Sequence, residues 1–276
     1  MVGTTHNHEL IDIGVNLTHD SFDADRDAVV SAAQRAGISR FIVTGTTIDA
    51  SEAALMLAGE YSGQMFSTAG IHPHHATEFH TSSAERLAEL SEHPLVVAIG
   101  ECGLDYFRNF SPPDAQRHAF EGQLVIAAQT RLPVFLHQRD AHDDFAAMLA
   151  EFRTELGGGV AHCFTGNRRQ LEENLELGLH IGVTGWVCDE RRGHELAQAV
   201  PHIPLDRIML ETDAPYLLPR NIHSKPKSRR NEPQMLIHVL RRVAELMRID
   251  EQELAAVSTR NAERLFGLNK VVPNAD

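Results

Sequence analysis

LVVAIGECGLDYFRNFSPPDAQRHAFEGQLVIAAQTRLPVFLH, residues 95–137, contains the unit from which the rest of the chain is built. It opens on an apolar run that ends in Glu101 and closes on a second, residues 133–136, that ends in His137. Between them, Pro113–Thr130 starts with Pro-Asp and continues as DAQRHAFEGQLVIAAQ, a strong helix start. A strand, a helix and a strand in that order form a βα unit of a parallel sheet. Both strands end in a side chain suited to metal binding or catalysis.

Runs of the same kind recur about every thirty residues along the chain. Strands are expected at residues 10–15, 40–44, 64–71, 95–100, 133–136, 159–161, 180–184 and 207–211. Eight such runs with helical segments between them suit a single (β/α)₈ barrel. Residues 24–36 read as an amphipathic helix stopped by Gly37, and residues 232–247 and 250–266 as a helical tail after the eighth strand. No linker, low-complexity tract or charge block divides the chain. Residues 1–276 therefore read as one domain, with a loose tail at 1–9 and a C-terminal tail at 267–276.

Ionisable residues gather where the apolar runs stop. The third run leads into His72, Pro73 and His74, the fourth into Glu101, the fifth into His137, the sixth into His162, and the eighth into Thr212 and Asp213. In a barrel these strand ends share one rim, the face where chemistry is done. Each histidine alone is more often structural than functional. Glu, His and Asp gathered together in a low-dielectric setting call for a cation to offset their desolvation. His74 and His75 are rim residues without an assigned role. His6 and His8 precede the first strand and read as a solvated tail.

The net charge of −13 excludes a protein that coats duplex DNA by global attraction. A polyanionic substrate would have to be held by metal and local cations. No stretch is long and apolar enough for a bilayer, and the N-terminus lacks a secretory pattern, so a cytoplasmic address with no membrane partner is expected. Three scattered cysteines, Cys102, Cys163 and Cys188, suggest buried thiols rather than a disulfide framework or zinc knuckle. Nothing in the pattern requires an oligomer, and a monomer is expected.

The segments DIGVNLT, GIHPHH, AIGECGLDY, PVFLHQRDA, HCFTG, VTGWVCDERRG and ETDAPYLLPR resemble the TatD family of metal-dependent deoxyribonucleases, over residues 11–266. GVN, VTGWVCDERRG and KPKSRRNEP place the resemblance nearest the family's namesake rather than its sister groups. The resemblance implies metal ligands at Glu101, His137 and His162, and a carboxylate at Asp213 that ligates metal or acts as base. It also implies a histidine, His72, near the scissile phosphate. Family members hydrolyse DNA, and those nearest the namesake degrade single-stranded DNA and RNA from the 3′ end, so a 3′–5′ exonuclease in DNA degradation or repair is expected. Many members carry His-x-His at the end of strand one, where this chain has Gly14 and Asn16. The oxygen-rich remainder of that site suits Mg²⁺ first, then Mn²⁺, ahead of Zn²⁺.

Substrate contacts are expected from Asn16, Arg139 and the basic segment after strand eight, from which we single out Lys227, Arg229 and Arg230. A solvated loop is an equally good reading of that segment. Arg108, Arg191 and Arg192 also follow strands, with Phe107, Phe164, Trp186 and Tyr216 placed to stack unpaired bases or simply to pack. Two other function classes fit the same residues: a barrel hydrolase of an amide or lactone, and a non-catalytic metal or nucleic-acid binding protein. A substrate screen separates the first, and loss of activity in Asp213→Asn excludes the second.

Overall fold

Short strands that are apolar on both faces must be covered on both faces, and this requirement organises the chain. The computed structural model describes residues 9–222 and 228–270. Its strands are β1 (Leu10–Val15), β2 (Ile38–Val43), β3 (Met65–Ala69), β4 (Val96–Asp105), β5 (Val134–Arg139), β6 (Gly159–Ala161), β7 (His180–Val183) and β8 (Ile208–Leu210). They lie side by side in chain order, each parallel to the next. Helices return the chain between strands: α1 (Arg26–Arg35), α2 (Ile48–Glu60), α3 (Thr81–Ser91), α4 (Pro113–Thr130), α5 (His142–Phe152), α6 (Arg168–Glu176) and α7 (His194–Ala199). Two more, α8 (Leu236–Met247) and α9 (Glu251–Phe266), follow β8.

The sheet curls into a nearly closed barrel whose seam lies between β1 and the residues just past β8. There the Asp213 N–H donates to the Gly14 carbonyl at 2.9 Å and the Asn16 N–H to the Ala214 carbonyl at 2.8 Å. The buried Asp12 carboxylate adds side-chain bonds, accepting from the Thr212 N–H at 2.8 Å and the Thr212 hydroxyl at 2.5 Å. Ile11, Ile13, Ile42, Phe66, Phe135, Val160 and Met209 fill the barrel interior. A second, larger cluster lies between strands and helices.

The helical tail plugs the end of the barrel away from the seam residues. Ala262 and Phe266 of α9 join the interior cluster, as does Leu268 just beyond it. Ser258 Oγ accepts from the Leu210 N–H at 3.1 Å, and Asn261 Nδ2 donates to the carbonyls of Leu205 and Ile208. Leu268, expected in the C-terminal tail, is 3 % exposed because it completes this plug.

Several strand ends differ from expectation, β3 stopping at Ala69 and β5 running on to Arg139 among them, and two others bear on the site. The sequence reading stops the fourth strand at Gly100, whereas β4 continues to Asp105 through a register shift between Ile99 and Cys102. Gly100 and Gly103 have φ of 140° and 142°, which only glycine adopts without strain, and they bracket the displaced residues. The eighth strand ends at Leu210, so Glu211 lies beyond it rather than within.

His180, the first residue of β7, is buried with both ring nitrogens unpartnered among the described residues. Burial, and then the Arg207 guanidinium, push its pKa down to about 4. The unfolded chain binds this proton more readily, so the stability associated with the neutral ring is present above the ordinary histidine range and is lost as pH falls towards 4. His180→Leu should therefore flatten the acid limb of stability. Between pH 7 and pH 4.5 the variant should lose about 2 kcal/mol less than wild type in urea unfolding. Equal losses would show that the ring finds a partner in solution.

Candidate metal centre

The register shift in β4 has a direct chemical result: it turns Glu101 into the mouth of the barrel. The Glu101 N–H donates to the Gly45 carbonyl at 2.7 Å, and one carboxylate oxygen, Oε1, then faces three imidazoles. It lies 2.9 Å from His137 Nδ1, 3.3 Å from His72 Nε2 and 3.5 Å from His162 Nε2. Burial works against the charged Glu101, but His72, His162 and His137 outweigh it and hold the carboxyl well below the usual range.

The donor atoms form two groups that could each hold an ion, one of His72, Glu101 and His137, the other of His162, Cys163 and Asp213. The expected trio of Glu101, His137 and His162 thus lies together but spans both groups. Among the described donors, His137 Nε2 has no hydrogen-bond partner. It sits 3.4 Å from Asp105 Oδ2 without hydrogen-bond geometry. A buried nitrogen left this way, beside carboxylates and further imidazoles, fits a divalent cation.

Ring orientation separates the roles of the histidines. His162 Nδ1 donates to Glu211 Oε2 at 2.6 Å, which leaves the Nε2 lone pair free on the side facing Glu101. This carboxylate–histidine arrangement is how ligating imidazoles are usually oriented. Burial disfavours the charged ring, but Glu211 and Glu101 raise His162 to about 10, so without an ion Nε2 also carries a proton, which a bound cation displaces to take up the lone pair. His72 differs: its Nδ1 accepts from the His74 N–H at 3.1 Å, so the proton of a neutral ring sits on Nε2. Burial lowers His72 to about 4, so in this arrangement it is a neutral hydrogen-bond donor.

Asp213 stands at the barrel seam with φ of 54°, and Asn16 Nδ2 donates to its Oδ1 at 3.1 Å. Burial, against the pull of His162, raises its carboxyl to about 7. Asn16, expected to touch substrate, is instead bonded to Asp213 and to the Ala214 carbonyl. Arg230 is likewise already engaged. It forms paired bonds to Asp25 at 2.8 and 2.7 Å, another to Glu232 at 2.8 Å, and lies 4.9 Å from the centre of the Phe22 ring. That charge is neutralised within the fold and is not available to a phosphate. Arg229 is exposed, Lys227 lies outside the described residues, as do His6 and His8, and Arg139 reaches the mouth from the end of β5.

Three functional candidates escaped the sequence reading. Glu211 looked like part of an apolar strand, yet a fully buried carboxylate needs partners, and it has His162 and the Cys163 N–H. Asp105 marks the true end of β4, where it pairs with His74 Nε2 at 2.8 Å. Cys163, read as an inert thiol, lies with His162 and Asp213, and burial first, then Asp213, raises its pKa well above the ordinary value. Glu211 also explains Gly14: a Cβ there would lie 2.3 Å from Glu211 Oε2 and 3.2 Å from His162 Nδ1. In this barrel the space of a first-strand histidine belongs to Glu211.

An eight-stranded barrel with carboxylates and imidazoles converging at its mouth defines a metal-dependent hydrolase of the barrel class. The model of the family described as TatD related DNase matches residues 11–267, and the chain belongs to that family: it is a TatD-family nuclease, a hydrolase of phosphodiester bonds. A relative from Erwinia amylovora named 3′-5′ ssDNA/RNA exonuclease TatD is 54% identical over 259 residues, covering 94% of this chain and 100% of that one. One of the same name from Citrobacter rodentium is 52% identical, covering 94% and 98%. Among solved structures, YJJV, a TatD homolog from Escherichia coli K12, superposes with a TM-score of 0.85 at 30% identity, covering 94% and 98%. A TatD family hydrolase from Entamoeba histolytica has the same TM-score at 28% identity, also covering 94% and 98%.

Glu211→Ala removes the acceptor that orients His162 and should weaken divalent-metal binding about ten- to hundredfold by calorimetric titration. Gly14→Ala forces a methyl group into the same space and should cost about 2 kcal/mol of stability. Unchanged metal affinity in Glu211→Ala would reduce that carboxylate to a packing role.

Proposed function

We propose that this nuclease is a 3′–5′ exonuclease on single-stranded DNA and RNA, with Glu101, His137 and His162 holding a divalent cation and Asp213 acting as base. The observation that carries the reading is the Glu101 carboxylate oxygen within 3.5 Å of three imidazole nitrogens at the barrel mouth, with Asp213 in the adjoining group. The names of the Erwinia and Citrobacter relatives support the polarity and the substrate. Mg²⁺ is the ion we favour, by way of the carboxylates, and Mn²⁺ the second, since it tolerates imidazole better. Three free cysteines suit a reducing cytoplasm, and among the described residues no helix is long and apolar enough to cross a membrane. A role in DNA degradation or repair fits this activity.

The chain's own groups account for the proton and charge movements. When bound, the cation supplies charge neutralisation at the phosphoryl oxygen and a more acidic water. Asp213, fixed by Asn16 and the seam, takes the proton of the attacking water as its oxygen bonds to phosphorus. His72 Nε2–H donates to a non-bridging oxygen, and the P–O3′ bond breaks with its electron pair leaving on oxygen, which is protonated from solvent. Glu211 keeps His162 in the required tautomer throughout.

End-labelled oligonucleotides of DNA and RNA, incubated with Mg²⁺, Mn²⁺ or Zn²⁺ separately, test the reading. Single strands should shorten stepwise from the 3′ end, EDTA should stop the reaction, and added metal should restore it. Glu101→Ala should lower turnover at least about a thousandfold, as expected when the principal charge stabiliser is lost. Undiminished cleavage by pure Glu101→Ala protein would overturn the ligand assignment, and interior cutting of duplex would overturn the exonuclease.

A further inference from the structure

Beside the metal centre, a cavity of about 300 Å³ opens among the loops that follow β4, β5, β6 and β7. Its lining includes His162, so it adjoins the donor cluster directly. The volume lies at the low end of small-ligand pockets, room for one nucleoside unit and not for two. Two arginine–aromatic pairs from separate loops line it. Arg139 lies 3.9 Å from the centre of the Phe107 ring, and Arg192 lies 4.4 Å from that of Trp186.

These pairs are arranged for use from outside the fold. Phe107 is 54 % exposed even with Arg139 beside it, so much of the ring faces solvent and is open to a further partner. The Arg192 Nε is fixed by the buried Asp189 at 2.8 Å, so the Trp186 pair is held as a rigid wall. Arg139 has no ion-pair partner among the described residues, and its charge remains available for a phosphate. Gln138, also on the lining, makes no side-chain hydrogen bond to a described residue and offers both donor and acceptor. An aromatic platform, an unspent guanidinium and an adaptable amide form a set that recognises a base by its face rather than by its identity.

We propose that this cavity is the subsite for the terminal nucleoside of the strand, its base stacked on the Phe107–Arg139 and Trp186–Arg192 pairs. The proposal rests on the nuclease reading above and adds what selects the position of cutting. A cavity one residue deep, adjoining the donor cluster, presents the phosphate next to the seated residue and no other. It also explains how an acidic protein gains affinity without a basic surface: part of the binding comes from stacking, which net charge does not oppose. Sequence tolerance follows, because every base has a π-face.

The test compares single-stranded oligonucleotides carrying a normal or an abasic residue at either end in turn. In wild type, the abasic residue at the attacked end should raise KM about tenfold, the effect of losing one stacked base. In Phe107→Ala with Trp186→Ala, that ratio should fall towards one. Phe107→Ala alone changes an exposed side chain and gives an intermediate ratio if the double variant does not fold. Calorimetric titration with nucleoside 5′-monophosphates reads the subsite independently of cleavage. Saturable binding weakened about tenfold by Phe107→Ala supports it even where no oligonucleotide is cut, an outcome that would count against the nuclease reading alone. Equal KM for normal and abasic ends, or monophosphate binding indifferent to Phe107→Ala, overturns the proposal.

Discussion

Too many carboxylates are buried at one end of this barrel for the fold to ignore them. Asp12, Glu101, Asp105 and Glu211 are all nearly or fully inaccessible, and Asp213 stands beside them. An isolated buried charge is strongly unfavourable, so each must be hydrogen-bonded, paired or neutralised. Asp12 takes the neutral route, raised to about 8 chiefly by burial while still bonded to Thr212. Glu101 and Glu211 take imidazole partners instead. The imidazoles go only part of the way, because His72 is kept neutral by its own burial and His137 retains an unpartnered nitrogen. A divalent cation resolves what the side chains leave over, which ties the stability of this end of the fold to its chemistry.

That constraint reaches into backbone geometry. Glu101 gets its position from a strand that shifts register between two glycines of positive φ, and Asp213 from the seam that closes the sheet. The same seam bonds join β1 to the residues after β8 and orient the carboxylate, through Asn16 and the Gly14 carbonyl. Closure of the sheet and the placement of Asp213 therefore depend on one set of atoms. Glu211 completes the arrangement: its carboxylate lies where a Cβ at Gly14 or Gly182 would come within 2.3 or 2.4 Å. Two strands give up side chains so that a third can carry an acid between them.

Periodicity carries the fold and the rim, and partner choice is what it omits. Pro113–Thr130 is a helix with the same ends that its Pro-Asp start and apolar spacing indicate, and the three-residue β6 falls where its place in the series puts it. His72, Glu101, His137, His162 and Asp213 could be placed on one rim because parallel strands send all their ends the same way. Glu211 could not be read, because a carboxylate next to an apolar run looks the same whether it faces water or an imidazole 49 positions earlier in the chain. The end of β4 was missed because a register shift breaks the two-residue alternation on which strand reading depends. Arg230 shows the opposite error. It stands in a run of basic residues that suggests a grip on phosphate, yet Asp25, 205 positions away, has already claimed it.

The contrast between Arg230 and Arg139 bears on how a chain of net charge −13 handles a polyanion. Long-range attraction is absent, so encounter gains nothing from steering, and affinity must arise after contact. Salt dependence scales with the number of phosphates neutralised, and a mouth with few free cations neutralises few. Arg230 is paired with two carboxylates of its own, Asp25 and Glu232, and adds little field outside. Arg139 rests on an aromatic face with no carboxylate opposite it among the described residues. Flat rings beside a small number of unspent charges favour a flexible strand whose bases can be unstacked at low cost, while a duplex keeps its bases covered. On the proposed reading, the acidity of the molecule acts as a filter against substrates that offer only backbone charge and in favour of those that can also offer a free base.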